Sequence, residues 1–241
     1  MAYKFVFKRV EKKFIITKRQ KEEILGESLS HLEEDEYCRF KVNNVYFDTL
    51  DYLIARRSIE KPVYKEKLRI RSYGDLSKDE LVFLEIKRKY DSVVYKRRIN
   101  LTCKDAFNMV LNGSFSKNGN QIEEEIRYFC FRYINLRPSM ALFYNREAYF
   151  DKQDMNLRIT FDNDIQWQKY DLYNNNNLIL NSMIDDDYLL MEIKTSNVVP
   201  LWLSNILNIN RVYSTSFSKY GNAYKSIIKK GDVRYAGWIV Y

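Results

Sequence analysis

The chain has 241 residues and a formal net charge of +8, with 40 lysines and arginines against 32 aspartates and glutamates. Its 46% of apolar residues exclude a disordered chain, and its 7 glycines form neither a Rossmann fingerprint nor a Walker A loop. No apolar run approaches the roughly 18 residues that span a bilayer, and the charged start MAYKFVFKRVEKKF lacks the apolar core of a signal peptide. We therefore expect a single cytoplasmic domain over residues 1–241.

The first half of the chain is predicted to be rich in strands. Alternation of polar and apolar residues predicts strands over 3–16, 42–48, 64–73, 81–90 and 93–101. Thr17 has the spacing of an N-cap with Gln20, for a helix that runs to residue 32. Residues 51–58 are typical of a helix or a turn.

The second half mixes both element types. Spacing predicts helices over 104–112, 120–135, 200–209 and 216–230, and strands over 140–150, 156–166 and 188–195. An asparagine-rich stretch over 171–182 is typical of a loop. Because no repeat or linker interrupts the pattern, we predict an α+β fold with one antiparallel sheet of about eight strands.

Residues that commonly serve as nucleophiles or zinc ligands are scarce. The single histidine, His31, lies in what the sequence predicts as a charged helix tail. Cys38, Cys103 and Cys130 are scattered and form no CxxC motif, so we expect reduced thiols. The sequence therefore disfavours a zinc centre and a Ser-His-Asp triad.

Several predicted strands carry ionic residues on one face and apolar residues on the other. The ionic faces, read from the two-residue period of a strand, are Glu11 with Lys13; Lys67, Arg69 and Arg71; Glu85, Lys87 and Lys89; Lys96 and Arg98; Arg146; Arg158, Thr160 and Asp162; and Glu192 with Lys194. For any one strand, a solvated outer face is the simpler interpretation. Its repetition in six or seven strands favours another arrangement, because helices can cover only the apolar faces.

That arrangement is a closed eight-stranded antiparallel β-barrel with a basic lumen and helices packed outside. Buried cations are costly without an anion, so the excess of lysine and arginine predicts a polyanionic ligand. Arginine suits phosphate because its fork donates two hydrogen bonds, and a glutamate oxygen in the same lumen suits Mg²⁺ or Mn²⁺.

The chain resembles the VTC domain, the catalytic domain of polyphosphate polymerases of the vacuolar transporter chaperone type, within the triphosphate tunnel metalloenzyme superfamily. The resemblance is carried by seven strings in the same order and spacing: KEKLRIRSYG, LEIKRKY, VVYKRR, YNREAY, LRITFD, LMEIK and SFSKYG. It covers about residues 7–230 and looks like the stand-alone prokaryotic form. It implies a tunnel in which the γ-phosphate of ATP passes to a growing polyphosphate chain, with Mn²⁺ or Mg²⁺ as cofactor.

The resemblance also implies roles for individual residues. Catalytic roles fall to Lys87, Arg69, Arg71 and Lys219, and the metal ligand is Glu192. Phosphate or nucleotide binding falls to Lys13, Arg69, Arg71, Lys87, Lys96, Arg146, Arg158, Lys194 and Lys219. Arg56 or Arg57 matches one further arginine, with the register left open.

One motif departs from the wider superfamily. The ExExK pattern of many triphosphatases appears here only as Glu11-Lys12-Lys13, so metal-activated hydrolytic water has less support than phosphate binding. Two alternatives to a polymerase stay open: a triphosphatase of the same fold, and a non-catalytic module that binds polyphosphate or RNA. The expected partners are ATP and inorganic polyphosphate. Nucleic acid is disfavoured, because most aromatic residues lie in apolar patterns, and a membrane or regulatory partner is left open.

Overall fold

The fold is taken from a computed structural model that describes residues 10–60, 62–74, 80–91, 93–170, 180–196 and 198–230, except the side chain of Tyr37. The strands are β1 (Val10–Thr17), β2 (Leu32–Asp48), β3 (Tyr64–Tyr73), β4 (Leu81–Tyr90), β5 (Val93–Thr102), β6 (Arg137–Asp151), β7 (Arg158–Lys169), β8 (Asn181–Ser182) and β9 (Tyr188–Thr195). The helices are α1 (Lys18–Glu27), α2 (Leu53–Ile59), α3 (Cys103–Asn112), α4 (Gln121–Arg132), α5 (Leu201–Ile209) and α6 (Lys219–Lys229). None of these described helices has the length and apolar character of a membrane span.

Most predicted elements are present, but the segment after the first helix was predicted wrongly. The capping box of Thr17 and Gln20 starts α1 as expected, and the helix ends at Glu27 rather than at residue 32. Strand β2 begins at Leu32, ten residues before the predicted strand, because it pairs with β6 over residues whose acidic run hides the alternation. His31 is therefore in a connection, where its ring stacks on Trp202 with centroids 4.2 Å apart. Residues 3–9 of the first predicted strand and 171–179 of the predicted loop lie outside the described residues.

The sheet runs in the order β1-β9-β7-β6-β2-β3-β4-β5, with the short β8 beside β7, and the strand pairs are antiparallel. It has nine strands over the described residues and is not closed into a barrel by hydrogen bonds, so the prediction of a closed eight-stranded barrel is wrong in this respect. The edge strands β1 and β5 are rich in like charges, as in Lys96-Arg97-Arg98, which is typical of edges that do not pair. The sheet nevertheless curls, since Glu11 of β1 and Lys87 of β4 meet across the seam at 3.7 Å.

Two pairs of helices cover the apolar side of the curled sheet, which we call the outer face. Helices α1 and α5 pack on β1, β9 and β7, where Leu203 joins Phe161 and Met191 in one core cluster. Helices α3 and α4 pack on β3 and β4, where Phe129 joins Leu84 in a second cluster. This confirms that the apolar strand faces lie under helices and turns the ionic faces toward the other side, the inner face.

Helix α6 does not pack outside, and the prediction for it was wrong. Its Tyr220 stacks on Tyr46 with ring centroids 4.5 Å apart and shares a core cluster with Met140 and Leu142. Tyr46 points to the inner face, because its hydroxyl accepts a hydrogen bond from Arg69 at 2.8 Å. The inner face of β6 is thus apolar in its first half, and α6 covers that half while its N-terminus reaches the ionic half.

Candidate functional site

Ten cationic side chains and four carboxylates of the inner face form a group that we call the inner cluster. Its members are Lys13, Lys67, Arg69, Arg71, Lys87, Lys96, Arg98, Arg146, Lys194 and Lys219, with Glu11, Glu85, Asp162 and Glu192. Strand register places most of them, since residues directly opposite each other in a ladder share a face. The four carboxylates leave six positive charges without a matching negative charge, so the cluster is built to receive an anion.

Glu85 of β4 is the carboxylate on one wall of the cluster. Its oxygens lie 2.8 Å from the guanidinium of Arg69, 2.7 Å from the ammonium of Lys96 and 3.9 Å from Arg71. Burial alone would raise its pKa, but Arg69, Arg71 and Lys96 hold the pKa of Glu85 well below the usual range. One carboxylate is therefore shared by three cations and cannot neutralise all of them.

Polar side chains of β2 and β6 fix the two arginines of the RxR string. Arg71 donates from Nε to the Asn44 side-chain oxygen at 2.9 Å and from Nη2 to the Tyr144 hydroxyl at 3.1 Å. Arg69 donates to the Tyr46 hydroxyl. Asn44, Tyr46 and Tyr144 were not predicted as site residues. The two-residue period of a strand was the available signal, since it puts Tyr144 on the same face as Arg146 and Asn44 on the same face as Tyr46. They hold the guanidinium groups in place before any ligand arrives.

Asp162 of β7 anchors the opposite wall. It accepts two hydrogen bonds from Arg146, Nε to Oδ1 at 2.5 Å and Nη2 to Oδ2 at 2.7 Å, and one from Lys219 at 2.5 Å. Asp162 is fully buried, and although burial would raise its pKa, Arg146 and Lys219 hold that pKa below its usual value. Asp162 was predicted to lie on the ionic face of its strand, without a role. The structure gives it the role of positioning two of the predicted phosphate ligands.

Glu192 of β9 is surrounded by cations. Its carboxylate lies 3.2 Å from the ammonium of Lys194 and 3.4 Å from those of Lys13 and Lys219. Arg146 approaches it at 3.8 Å. Burial opposes ionisation, but these four neighbours, with Lys219 the strongest, keep the pKa of Glu192 well below its usual value. Glu192 therefore stays charged and is available as an oxygen donor.

The oxygen donors near Glu192 decide whether the predicted divalent metal fits here. Within the described ranges, no three His, Cys, Asp or Glu side chains lie close enough to form a metal site. The hydroxyl of Thr160, which lies opposite Glu192 in the ladder, is buried and has no hydrogen-bond partner among the described residues. Glu192, Asp162 and Thr160 offer hard oxygens of the kind that Mg²⁺ prefers, and such ions commonly take the rest of their shell from substrate phosphates and water. The residues fit a metal that binds together with phosphate.

Three arginines named from the sequence make no contact with the inner cluster among the described ion pairs. Arg158 lies on the inner face opposite Lys194, but it forms an ion pair with Asp35 of β2, and its side chain is 46% exposed. Arg56 forms an ion pair with Asp51 next to α2. Arg57 lines a surface cavity of about 390 Å³ between α2 and the start of β3. The remaining predicted site residues come together on the inner face: Lys13, Arg69, Arg71, Lys87, Lys96, Arg146, Glu192, Lys194 and Lys219.

The sequence matches a known protein family. The family model described as "VTC domain" matches residues 8–228 of the chain. The chain belongs to the VTC domain family. The resemblance in the seven strings is thereby confirmed, and the fold is of the triphosphate-tunnel type that the family implies.

Solved structures support the fold independently. A candidate adenylate cyclase from Bacillus halodurans aligns with 87% of this chain and 93% of its own, at 14% identity and a TM-score of 0.55. A second candidate adenylate cyclase, from Vibrio parahaemolyticus, aligns with 94% of this chain and 99% of its own, at 11% identity and a TM-score of 0.52. At these identities the likeness shows the fold alone. No curated protein sequence matches this VTC domain significantly.

Proposed function

We propose that this VTC domain is a metal-dependent polyphosphate polymerase, which transfers the γ-phosphate of ATP to a growing inorganic polyphosphate chain. The observation that carries the proposal is the inner cluster, in which six positive charges lack a matching carboxylate along several adjacent strands. A linear chain of phosphates matches this arrangement, because its negative charges are distributed along its length as the cations are distributed over the strands. Membership in the VTC family supports the same substrate class.

Phosphoryl transfer needs alignment and charge neutralisation more than covalent chemistry by the protein. Arg69 and Arg71 are positioned in advance by Tyr46, Asn44 and Tyr144, so their forks bind phosphate oxygens with little reorganisation. Arg146, held by Asp162, binds from the opposite wall. A divalent cation bound with the substrate would withdraw charge from the phosphate oxygens.

The transfer itself requires no nucleophile from the protein. An oxygen of the acceptor's terminal phosphate forms a bond to the γ-phosphorus of ATP, the bond from that phosphorus to the β,γ-bridging oxygen breaks, and ADP leaves with the electron pair. Lys219 and Lys13 on one wall and Lys96 on the other lie where they can offset the charge that moves onto the leaving group.

The protonation states of the cluster favour a phosphate acceptor over water. A hydrolase needs a base near neutral pKa to activate water, or a metal site that does so. Glu11, Glu85, Asp162 and Glu192 all have lowered pKa values; for Glu11 burial is outweighed by Lys87 and Lys13, and its pKa is about 2. Such carboxylates are weak bases. A phosphate oxyanion is already ionised and needs no base, so these carboxylates favour a phosphate acceptor over hydrolysis that depends on a carboxylate base.

The test supplies the purified chain with ATP and Mn²⁺ or Mg²⁺ and measures ADP release together with polymer formation by a polyphosphate stain. We expect both products from the wild type. Arg71→Gln should lower kcat by about 100-fold, the usual cost of losing one fixed donor to transition-state charge. Glu192→Gln should also lose activity, because it removes the carboxylate proposed to hold the metal. Arg19→Gln removes an exposed guanidinium of α1 and serves as the matched control.

Other results of this assay would indicate a different function. ADP with orthophosphate and no polymer means that the domain is a triphosphatase. Binding of polyphosphate without ADP release means that it is a binding module. Wild-type turnover in both Arg71→Gln and Glu192→Gln contradicts the site assignment, whatever the product.

A further inference from the structure

A group of charged and aromatic side chains lies on the outer face, between the start of β3 and the end of α4. Glu66 of β3 shares this face with Leu68 and Ile70, which belong to the core cluster under α3 and α4. The side chain of Glu66 is 1% exposed. A buried charge is costly unless it is paired, and the phosphate site on the inner face makes no use of this one.

The carboxylate of Glu66 is paired with hydrogen-bond donors. It accepts the hydroxyls of Tyr64 at 2.7 Å and Tyr133 at 3.1 Å, Nε of Arg88 at 3.3 Å and Nη1 of Arg132 at 3.2 Å. Burial, together with the charge of Glu66, raises the pKa values of both tyrosines to about 12, so both hydroxyls stay protonated and donate. These bonds occupy the acceptor sites of the carboxylate.

Arg132 is fixed by this network with part of its fork left over. Its guanidinium lies 5.4 Å from the centre of the Tyr64 ring and 5.7 Å from that of the Tyr133 ring. Nη1 donates to Glu66, while the side chain as a whole is 37% exposed. Its other donors can therefore bind an oxyanion with little further loss of side-chain freedom.

A second guanidinium faces the same space. Arg132 and Arg57 of α2 both line the cavity of about 390 Å³ next to the start of β3. Burial dominates the pKa of Tyr133, but the charges of Arg132 and Arg57 both act on it, which places both groups near one hydroxyl. Over the part of the chain that the structure describes, Arg57 forms no ion pair, whereas the adjacent Arg56 pairs with Asp51.

Apolar surface lies beside the two guanidinium groups. Ile54 of α2 lines the cavity, as do Pro62 and Val63 before β3 and the tyrosines that bind Glu66. Val63 is 66% exposed, so a molecule in the cavity covers apolar surface that otherwise contacts water. Pockets for small organic molecules span about 300–1,000 Å³, and this cavity lies within that range.

The charges around the cavity favour a ligand with a single negative charge. Glu60 and Glu66 line it together with the arginines, so a polyanion such as a phosphate chain meets two carboxylates there. Lys65 also lines it and donates to the backbone carbonyl of Ser58 at 3.3 Å. A carboxylate group carries one charge and matches the fork of an arginine.

We propose that this cavity is a second binding site, for a small monocarboxylate with an apolar body, in which Arg57 and Arg132 bind the carboxylate and Pro62 and Val63 contact the body. The ligand class differs from that of the inner cluster. The proposal does not rest on the proposed function, because none of these residues belongs to the inner cluster.

The test titrates phenylpropionate into the full chain and follows the backbone amide signals by NMR. We expect shifts at residues 53–66 and 132–133 that persist when inorganic triphosphate is present. Phenylpropanol lacks the charge and acetate lacks the apolar body, so each should bind more weakly than phenylpropionate.

Variants of the two arginines test the contacts directly. Arg57→Gln should raise the dissociation constant of phenylpropionate about tenfold, the cost of one charged hydrogen-bond donor. Arg132→Lys keeps a cation for Glu66 but loses the fork, and should also weaken binding. Arg56→Gln is the matched control and should bind as the wild type does, because it removes the same charge from the next position of α2 and its guanidinium pairs with Asp51.

The inference is overturned by an absence of shifts at these amides up to about 10 mM phenylpropionate, a concentration that corresponds to negligible affinity. It is overturned equally if phenylpropanol binds as well as phenylpropionate, or if Arg56→Gln and Arg57→Gln lose the same affinity, since either result removes the carboxylate contact. Displacement of phenylpropionate by triphosphate would place the compound on the inner face and overturn the inference as well.

Discussion

At the scale of single residues, the inner cluster separates groups that keep their charge from groups that can lose it. Its four carboxylates are held ionised by neighbouring cations. Lys67 and Lys96 behave differently, since burial first and then surrounding cations lower both pKa values to about 7, and Glu85 offsets this only partly for Lys96. The ligand-free cluster therefore relieves its surplus charge by releasing protons near neutral pH.

This makes polyanion binding dependent on pH in a defined direction. A bound phosphate chain favours the protonated lysines and raises the pKa values of Lys67 and Lys96 from about 7 toward the ordinary 10.5. At about pH 8, binding should take up protons, and affinity for long-chain polyphosphate should fall as the pH rises from about 7 to about 9. Calorimetry in two buffers of different ionisation enthalpy measures the uptake.

Lys67→Met provides the comparison for this prediction. The variant lacks one of the lysines whose pKa is lowered, so it should take up fewer protons and show a shallower pH dependence. Equal uptake in both proteins would mean that Lys67 does not protonate on binding.

Residue roles were predictable from the sequence where alternation alone decides the face of a strand. Arg69, Arg71 and Lys87 lie on the inner face for that reason. The positioning roles of Asp162 and Asn44 were not predictable, because they depend on which strands are neighbours in the sheet. Arg158 lies on the inner face as alternation predicts, yet its ion pair is with Asp35, and that contact depends on the long-range pairing that brings β2 near β7.

At the scale of elements, α6 is the helix that decides the shape of the inner face. The segment before it is held on β1, since the backbone N–H of Thr215 donates to the carbonyl of Lys13 at 2.7 Å. Ser218 caps its N-terminus, and Lys219 in its first turn reaches Asp162. The position of a predicted phosphate ligand therefore depends on how firmly α6 is docked.

Asp48 at the end of β2 provides the docking contact. One carboxylate oxygen accepts the backbone N–H of Ile54 at 2.9 Å, and the other accepts that of Ala55 at 2.9 Å and the hydroxyl of Tyr220. A single buried carboxylate thus joins β2, α2 and α6. Its removal leaves the backbone donors of Thr49, Ile54 and Ala55 and the hydroxyl of Tyr220 without this acceptor, and buried unsatisfied groups are costly.

We expect Asp48→Ala to lower the free energy of unfolding by about 3 kcal/mol, and Tyr220→Phe by about 1 kcal/mol, because the second change removes only one of the four hydrogen bonds to the carboxylate. Urea denaturation measures both. Asp48→Asn keeps an acceptor oxygen and should fall between them. A loss in Tyr220→Phe as large as that in Asp48→Ala would show that the hydroxyl, rather than the two backbone donors of α2, carries the stability of this contact.

Most helices and strands were predictable from local sequence patterns. The two wrong predictions, for the start of β2 and for the packing of α6, have the same cause. Residues 32–41 form a strand against their local composition because β6 pairs with them. Helix α6 has an apolar stripe that predicts packing but not the side of the sheet on which it packs. In both cases the structure is determined by contacts with residues that are distant in the sequence. A local pattern of polar and apolar residues carries no information about those contacts.

At the scale of the whole molecule, the surplus of positive charge places the binding function and the stability of the fold in opposition. The outer face is a well-packed apolar core under four helices, while the inner face concentrates like charges beside a seam that is not hydrogen-bonded over the described residues. Ligands that bind only the folded state stabilise it, so phosphate compounds should raise the melting temperature in order of chain length.

Removing one of the inner cations should therefore stabilise the ligand-free protein while weakening the ligand's effect. We expect Lys67→Met to melt at a higher temperature than the wild type near pH 7 and to gain less from added long-chain polyphosphate. The sign follows from the pKa of Lys67, which is about 7 in the folded chain against 10.5 ordinarily, so that between these values the unfolded wild type binds more protons and its stability rises with pH. The advantage of the variant should accordingly shrink from about pH 7 to about pH 9. A variant less stable than the wild type at both values would show that the lysine stem, or its contact with Ser218, contributes more than its charge costs.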